Sequence, residues 1–435
     1  MVPTRRFWAL VALGMPIAAL AASAGSGYLA IVYNLALLVI AYITGRLAPN
    51  PNDLKVQRKM DPVLSVRASN KVELILENEG VETLVGRIRD EVPPGFSTTP
   101  REWPLRIEPG DVKEFVYSVT PFERGSDFFR GTYLRLQCPL GLVERDVKLT
   151  TEQPVRVYPN VLALREFDLL KQKGRLREMG IRRSRMRGLG TEFESLRDYS
   201  QGDDYRKIDW KATARRNKIV VRQFEQERNQ SIILVIDTGR HMLSEVQGVR
   251  KLDHVLDAVL MLTHAANVAG DQVGLLVFSD TVRRYIPPRK GRTQVGQIIE
   301  ALHDQVAEPL ESDAKGAFAY LGSRWKRRSL VVAFTDLEDK GRAQELMASL
   351  GPLTKRHLVL LARVDDARLQ EALTSRIVDE RALYGRAAAV MLSSDRKEAE
   401  SVLTAGGIHH LEAEPQDLAA ALVSFYFSVK ERSLL

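Results

Sequence analysis

The first segment with a distinct hydrophobic pattern is Phe7–Gly45, which contains no charged residue. As a single helix it would be nearly twice as long as the ~30 Å hydrocarbon core of a bilayer. Gly25, Ser26 and Gly27 offer a turn, so we predict a transmembrane helical hairpin within residues 1–50, with helices at Phe7–Ala24 and Tyr28–Gly45. The alternative interpretation is a signal peptide cleaved after the small residues 22–24.

Basic residues flank both predicted helices. Arg5 and Arg6 precede the first, and Arg46 and Lys55 follow the second. Because positively charged flanks remain on the cytoplasmic side, we expect both ends of the hairpin, and the soluble domains after it, to be cytoplasmic.

Residues 51–160 change to short alternating runs separated by turn residues such as Pro93-Pro94-Gly95. This pattern predicts an antiparallel β-sandwich of immunoglobulin-like type. The predicted strands are Val63–Ala68, Lys71–Glu77, Leu84–Asp90, Arg106–Ile107, Lys113–Thr120, Thr132–Cys138, Val143–Leu149 and Val155–Tyr158. None of these runs carries a recognisable catalytic set.

Residues 231–435 alternate between apolar runs and amphipathic stretches, which predicts a doubly wound α/β domain with a mostly parallel sheet covered on both faces. The predicted strands are Ile232–Ile236, Val273–Phe278, Leu330–Phe334, Leu358–Ala362 and Ile408–Leu411. The predicted helices are Val249–Val268, Gln294–Val306, Arg342–Leu350, Asp395–Ala405 and Pro415–Val429.

Two acidic residues follow apolar strands of this domain, Asp237 and Asp336. Ligands of such sheets bind outside the carboxyl ends of the strands, so this edge is the predicted site. Carboxylates suit Mg²⁺ or another divalent cation. The alternative is a structural role, in which Asp237 caps a helix or accepts hydrogen bonds from loop amides.

Residues 161–230, between the two predicted soluble domains, form a basic linker that includes the net positive charge of the chain. Residues 165–222 contain 17 Lys and Arg against 9 Asp and Glu, so their net charge, 17 − 9 = +8, equals that of the whole chain. Such a segment can bind an anionic partner or be a solvated connector with internal ion pairs. We expect no nucleic acid, because the basic run up to Arg187 lacks interleaved aromatic residues. With one cysteine, Cys138, an internal disulfide is excluded.

The strand-end loops Ile232–Met242 (IILVIDTGRHM) and Ala333–Leu337 (AFTDL) resemble those of the von Willebrand factor A domain. That resemblance implies a divalent-cation site formed by Asp237, Thr293 and Asp336. The family's first loop also provides two serines, but this sequence has Gly239 and His241 in their places. The implied site is therefore degenerate, and no cofactor is certain.

A longer resemblance covers Phe193–Phe224, which we call the collar. It resembles the signature of the bacterial family known as domain of unknown function 58, whose members place it before a von Willebrand A-like domain. The matching positions are Glu194, Arg197, Tyr199, Gly202, Asp203, Arg206, Ile208, Asp209, Trp210, Ala214 and Arg215.

The residues of the collar allow two compatible interpretations. Gly202 and Asp203 predict a turn, and Asp209, Trp210 and Arg215 fall on one predicted helical surface. They form either an internal network of ion pairs and stacking or a surface that binds a partner, since Trp and Arg dominate interface energetics.

The sequence predicts a protein that is not an enzyme. It has no GxxxxGK[ST], HExxH or GxSxG motif. The family resemblance implies a bacterial inner-membrane interaction or scaffold protein that is the partner of a MoxR-type AAA+ ATPase in chaperone-like assembly or maturation. The alternative is a divalent-cation-dependent ligand-binding or hydrolytic protein that uses the strand-end acids.

Overall fold

The chain forms two compact units, Met1–Tyr158 and Pro159–Leu435. The computed structural model describes residues 1–23, 28–48, 50, 53–172, 176–181, 192–200, 203, 205, 208–225, 230–336, 340–365, 367–377, 379–432 and 434–435. The division falls two residues before the predicted end of the β-domain.

The first unit begins with a short strand, β1 (Val2–Pro3), and two helices, α1 (Arg5–Ser23) and α2 (Tyr28–Arg46). The predicted turn at Gly25, Ser26 and Gly27 lies outside the described residues. Within the described part of the chain, α2 is the helix that is long and apolar enough to cross a membrane. Most of its apolar side chains are exposed, as Ile31 and Leu38 illustrate. This exposure favours a lipid environment, because a helix in the core of a soluble domain would bury such residues.

Eleven strands follow in the first unit. They are β2 (Leu54–Met60), β3 (Val63–Ser65), β4 (Asn70–Asn78), β5 (Leu84–Glu91), β6 (Phe96–Thr99), β7 (Trp103–Ile107), β8 (Val112–Pro121), β9 (Gly125–Phe129), β10 (Gly131–Gln137), β11 (Val143–Leu149) and β12 (Gln153–Tyr158). Their sheets have the orders β1-β11-β10-β5-β7, β2-β4-β8-β6 and β3-β12-β9. The sequence prediction missed β2, β6 and β9.

The strands of this unit surround one hydrophobic core. Alternate residues of β4 are buried, including Val72, Leu74 and Leu76, because successive side chains of a strand point to opposite faces. They pack in one cluster with Ile88 of β5 and Leu134 of β10. The predicted β-rich domain is therefore confirmed.

The start of the chain is attached to this β-rich domain. Val2 and Pro3 pair antiparallel with Glu144 and Val143 of β11. Thr4, next along the chain, donates its hydroxyl hydrogen bond to the Gly141 carbonyl at 2.7 Å. The base of the α1–α2 pair is thus joined to the sheet by backbone pairing as well as by the chain that follows α2.

The second unit contains nine helices and ten strands within its described residues. The helices are α3 (Leu162–Gln172), α4 (Trp210–Arg216), α5 (Lys251–Val268), α6 (Arg292–His303), α7 (Ala314–Arg324), α8 (Lys340–Thr354), α9 (Ala367–Thr374), α10 (Glu380–Ala405) and α11 (Leu418–Glu431). The strands are β13 (Glu192–Asp198), β14 (Val220–Glu225), β15 (Ser231–Asp237), β16 (Glu245–Val246), β17 (Val249–Arg250), β18 (Gln272–Phe278), β19 (Val282–Arg289), β20 (Leu330–Phe334), β21 (Leu358–Val364) and β22 (His409–Ala413).

Six of these strands form one sheet in the order β19-β18-β15-β20-β21-β22. All neighbours run parallel except β19, which is antiparallel to β18. Alternate residues of β15 enter different clusters, Leu234 on one face and Val235 on the other, so both faces are covered as predicted. The sequence prediction missed β19, whose three arginines and two prolines suit an edge strand.

A buried ionic cluster lies at the amino edge of this sheet, where β15 and β18 begin. The Asp271 side chain is fully buried, and its Oδ2 lies 2.6 Å from Lys430 Nζ of α11. Tyr426 of α11 donates a hydrogen bond to the same oxygen, and the Gln230 amide donates to Oδ1. Burial and the neighbouring carboxylate raise the pKa of Tyr426 well above its usual range, which keeps the phenol protonated. The cluster fastens α11 to the start of β15.

Candidate functional site

Asp237 and Asp336 lie at the same edge of the sheet, as the sequence predicts. Asp237 is the last residue of β15, and Asp336 lies two residues after β20. The two strands are parallel neighbours, with Ile236 opposite Phe334. The edge at which ligands of such sheets bind therefore carries both acids.

Asp237 is completely buried and receives three hydrogen bonds. Its Oδ1 accepts from the Gly239 amide at 2.8 Å and from the Ser312 hydroxyl at 2.5 Å. Its Oδ2 accepts from the Thr335 hydroxyl at 2.6 Å. A buried carboxylate requires such donors to replace its hydration. The bond from the Gly239 amide is the loop-amide contact of the structural alternative for Asp237.

Gly239 makes room for this arrangement. A Cβ atom at position 239 would lie 2.0 Å from Ser312 Oγ and 2.8 Å from the Leu310 carbonyl oxygen. A serine cannot occupy this position while the loop after α6 stays in place. The hydroxyl that the first loop lacks is supplied instead by Ser312, from a distant part of the sequence.

Thr293, the predicted third member of the site, lies elsewhere. It is exposed in the first turn of α6, and the adjacent Gln294 donates to the Val273 carbonyl, near the start of β18. Because β19 runs antiparallel, α6 begins at the amino edge of the sheet. Asp237 is about 16 Å away from that edge, five residues along a strand at ~3.3 Å each. Ser312 is the residue that meets Asp237, so the assignment of Thr293 is corrected.

Asp336 is paired with a lysine. Its Oδ2 lies 2.5 Å from Nζ of Lys251, the first residue of α5, and both side chains are only 12% exposed. An ammonium group thus neutralises the carboxylate at the place where a bound cation would be expected. This pairing could not be predicted from the sequence, because 85 residues separate the two positions.

Glu311 contacts two residues beside Asp237, Arg240 through an ion pair and His241 at a longer distance. Arg240 Nε lies 2.8 Å from Glu311 Oε2, and the buried His241 has Nε2 3.7 Å from Oε1. The Arg240 amide also donates to the Leu310 carbonyl at 2.9 Å. These contacts hold the loop that presents Ser312. His241 therefore contacts the loop that contains Glu311 and Ser312, and it is not one of the groups that bind Asp237.

Hard cations require several oxygen ligands. Among the described residues at this edge, Asp237 accepts three hydrogen bonds and Asp336 pairs with an ammonium group, so neither carboxylate is an open ligand in this arrangement. In the part of the chain that the structure describes, no three His, Cys, Asp or Glu side chains are grouped so that they could hold a metal ion.

Replacing Ser312 with alanine should lower the free energy of unfolding by about 1.5–3 kcal/mol, because a buried carboxylate loses a hydrogen bond. Thr293→Ala is the matched control and should change it by less than about 0.5 kcal/mol, as is usual for exposed positions. Urea denaturation of both variants in detergent checks the assignment. A larger loss for Thr293→Ala than for Ser312→Ala would contradict it.

The collar is a β-hairpin that carries a short helix. Strands β13 and β14 pair antiparallel from Glu192 with Glu225 to Asp198 with Val220. Between them, Asp209 caps α4 by accepting a hydrogen bond from the Ala212 amide at 2.9 Å. Arg197 makes a two-point ion pair with Asp203, at 2.8 Å and 2.6 Å. The hydrogen bonds of that pair raise the pKa of Arg197. The described contacts inside the collar are thus the Arg197–Asp203 ion pair and the Asp209 cap of α4, and the predicted network of ion pairs and stacking stays a prediction.

Trp210 and Arg215 have a different environment. Trp210 is 68% exposed, and Arg215 is exposed as well. At ~100° per residue, Trp210, Lys211, Ala214 and Arg215 fall within about 140° on one side of α4. Tyr205, which the sequence reasoning did not single out, is 70% exposed in the preceding turn. The collar thus presents aromatic and basic side chains to solvent.

The remaining collar positions contribute less. Tyr199 follows β13 directly and its side chain is partly exposed. Its amide donates a hydrogen bond to the Ile219 carbonyl. Gly202, Arg206 and the side chain of Glu194 lie outside the described residues, as do Lys173, Arg175 and the basic residues 182–187.

These features define the second unit as a mainly parallel α/β domain preceded by the β13–β14 hairpin. Residues 195–376 match the family model described as protein of unknown function DUF58. The match begins inside the collar and extends beyond β21, and it confirms the resemblance of this region to that family.

Relatives of the chain come from bacteria. An uncharacterized protein of Mycobacterium tuberculosis is 27% identical over 183 residues, which are 42% of this chain and 57% of the relative. The uncharacterized protein YeaD of Bacillus subtilis is 24% identical over 262 residues, 59% of this chain and 61% of the relative. The chain thus spans about three fifths of the length of these relatives.

Two solved structures have partial similarity. The conserved hypothetical protein BatB from Bacteroides thetaiotaomicron is 15% identical with a TM-score of 0.31, covering 47% of this chain and 100% of that one. The CARDB domain of a Pyrococcus furiosus protein is 18% identical with a TM-score of 0.18, covering 24% and 87%.

Proposed function

We propose that this chain is a non-enzymatic interaction protein, anchored in the bacterial inner membrane, whose collar binds an acidic surface of a MoxR-type AAA+ ATPase. The exposure of Trp210 beside Lys211 and Arg215 is the observation that carries the proposal. A large indole in water is unfavourable unless a partner covers it, and Trp with Arg is the pairing that dominates binding energy in interfaces. The partner supplies ATP hydrolysis, and this chain supplies recognition and location.

Charge supports an acidic partner surface. Besides Lys211 and Arg215, the described residues Arg216 and Lys218 are exposed on the same short segment. The acids nearest to them are engaged, Asp209 in capping α4 and Asp203 in pairing with Arg197. A basic surface of this kind accelerates association with an acidic partner and weakens with added salt.

The proposal extends to fold and location. The strand-end loops, together with a sheet that is parallel except for β19, support a von Willebrand A-like domain. Exposed apolar residues on α2 and the basic flanks support a membrane hairpin with cytoplasmic soluble units. The three hydrogen bonds to Asp237 and the Lys251–Asp336 pair argue against the competing function, a cation-dependent ligand binder or hydrolase.

The full chain in detergent should bind the matching hexameric ATPase, and Trp210→Ala combined with Arg215→Glu should weaken binding at least tenfold, a loss of ~1.4 kcal/mol or more. The affinity of the native chain should also fall as salt is raised. Biolayer interferometry measures both effects.

Two controls test whether the collar is responsible. Phe122→Ala removes an exposed aromatic ring from the β-rich unit, and Arg327→Glu reverses an exposed charge after α7. Both should bind as the native chain does. Failure of the native chain to bind a folded hexamer would contradict the proposed partner, and native-like binding by the double variant would contradict the proposed surface.

A further inference from the structure

The turn between β10 and β11 lies at the base of the two N-terminal helices. The Thr4 hydroxyl donates a hydrogen bond to the Gly141 carbonyl at 2.7 Å, and the Thr4 amide donates to the Leu142 carbonyl at 3.0 Å. On the side of α2, a Cβ atom at Gly45 would lie 3.6 Å from Val143 Cγ2. The turn therefore contacts the start of α1 and the end of α2.

The length of α2 gives the depth of this turn in a bilayer. Its 19 residues extend about 28 Å at ~1.5 Å each, close to the ~30 Å of a hydrocarbon core. When α2 spans that core, its end at Arg46 lies at the boundary with the headgroups. Trp8 and Tyr42, about one turn from the helix ends, are each 59% exposed, as is usual for aromatic residues at a membrane interface. The β10–β11 turn then lies within the headgroup layer, which is about 5–8 Å thick.

Leu140 is an exposed apolar residue of this turn. It is 69% exposed, and its φ of 65° is a left-handed conformation that is uncommon for leucine. A glycine would adopt this conformation with less strain, yet the turn holds a large apolar side chain there. A single exposed leucine is ordinary elsewhere on a protein surface. Beside the ends of two apolar helices, lipid is the environment that covers it.

Basic side chains lie at the same level as the turn. The Arg6 guanidinium is next to it, since a Cβ atom at Gly141 would lie 3.1 Å from Arg6 Nη1. The adjacent acid, Glu144, is 3.9 Å from Arg135 on the neighbouring strand. An apolar tip with arginines outside it matches an anionic bilayer, whose phosphates lie outside the acyl chains. The exposed arginines at the two helix ends are Arg5, Arg6 and Arg46.

Two other turns at this end of the unit limit the extent of the contact. Leu136 of β10 is opposite Gly86 of β5, and Leu84 of β5 is opposite Ile107 of β7, so the β4–β5 and β7–β8 turns lie at the same end as the β10–β11 turn. Both are acidic, and anionic headgroups repel them. The contact is therefore confined to the corner of the unit next to α1 and α2. The acids of the two turns are Glu79, Glu82, Glu108 and Asp111.

We propose that the β10–β11 turn rests on the membrane surface, with Leu140 inserted between the headgroups and Arg6 bound to the phosphate of an anionic phospholipid. This inference rests on the proposed membrane anchoring and goes beyond it, because it gives the β-rich unit a lipid contact of its own. The pairing of β1 with β11 keeps the turn at the depth of the helix ends.

A fluorophore on single cysteines tests the contact in the full chain, reconstituted in bilayers of phosphatidylcholine and phosphatidylglycerol. A Cys138→Ala background removes the only native thiol. The label at Leu140→Cys should show blue-shifted emission and be quenched at least about twofold by a nitroxide on the lipid headgroup. Phe122→Cys is the matched control, an exposed position separated from this end of the unit by the ten residues of β8, about 33 Å. Its emission should be that of a label in water.

A third label separates this inference from the anchoring on which it rests. Leu38→Cys, in the middle of α2, should be quenched by a nitroxide on the acyl chain. A label in water at position 38 would contradict the anchoring and the turn contact together. Lipid around position 38, with position 140 as accessible to water as position 122, would overturn the turn contact alone. Protection of position 140 only after an ATPase hexamer is added would also overturn it, by assigning the turn to a protein partner.

The anionic headgroup is tested with the label at Leu140→Cys. A nitroxide on phosphatidylglycerol should quench it at least about twofold more than one on phosphatidylcholine, and Arg6→Gln should remove this difference. Arg130→Gln, at an exposed position before β10 and at the opposite end of the unit, should retain it. Equal quenching by the two lipids without these substitutions, or an unchanged difference in Arg6→Gln, would overturn the assignment of Arg6 to a lipid phosphate.

Discussion

Replacing Lys251 with methionine should lower the free energy of unfolding by about 3 kcal/mol, because Asp336 loses the cation that neutralises it in a largely buried position. Methionine is chosen because it keeps most of the side-chain volume, so the loss reports the charge and not a cavity. Urea denaturation of the full chain in detergent measures the change.

The same variant tests the relation of this edge to metal ions. Millimolar Mg²⁺, Mn²⁺ or EDTA should leave the melting temperature of the native protein unchanged, since a ligand shifts it only by binding the folded state. Any response to metal should appear only in Lys251→Met, where the ammonium group is gone. Lys251→Arg retains the charge and should behave like the native chain. A rise of the native melting temperature with Mg²⁺ would contradict the assignment of Lys251 as the cation of this edge.

Replacing Lys430 with methionine should have the largest effect, a loss of about 3–5 kcal/mol, because Asp271 is fully buried and its charge would be left without a counter-ion. Tyr426 and the Gln230 amide would still donate to the carboxylate, which limits the loss but cannot neutralise the charge. Thermal and urea denaturation of the full chain measure it.

The control for this variant replaces the acid as well. Asp271→Asn combined with Lys430→Met removes both charges, so it should be clearly more stable than Lys430→Met alone if the buried charge is the cause. Lys355→Met, at an exposed position, should be nearly neutral. Equal stability of the single and double variants would attribute the loss to packing of α11 instead.

The regular elements could be predicted from the sequence where apolar patterning was strong. The strands after Ser231 and the positions of Asp237 and Asp336 follow from uninterrupted apolar runs that end in an acid. β19 was missed because Arg283, Arg284 and two prolines hide its alternation. The first half of α10 was missed because its apolar residues face outward, so the usual pattern of a buried stripe is absent.

The site itself could be predicted only in part. A strand-end rule identifies Asp237 and Asp336, but it does not show what donates to them. Thr293 was chosen by resemblance and lies at the opposite edge of the sheet, while Ser312 reaches Asp237 from 75 residues away in the chain. The glycine at position 239 indicates that another group lies close to this position, because a Cβ atom there would clash with Ser312 Oγ. The glycine alone does not show which residue that group belongs to.

The pairing of Val2 and Pro3 with β11 has a mechanical consequence. A domain tethered by one flexible linker swivels freely and transmits little torque. Here the β-rich unit is attached at the start of α1 by paired backbone and at the end of α2 by the continuing chain, so two separated points resist rotation. Two separated attachments restrict rotation of the β-rich unit relative to the helix pair more than a single linker would.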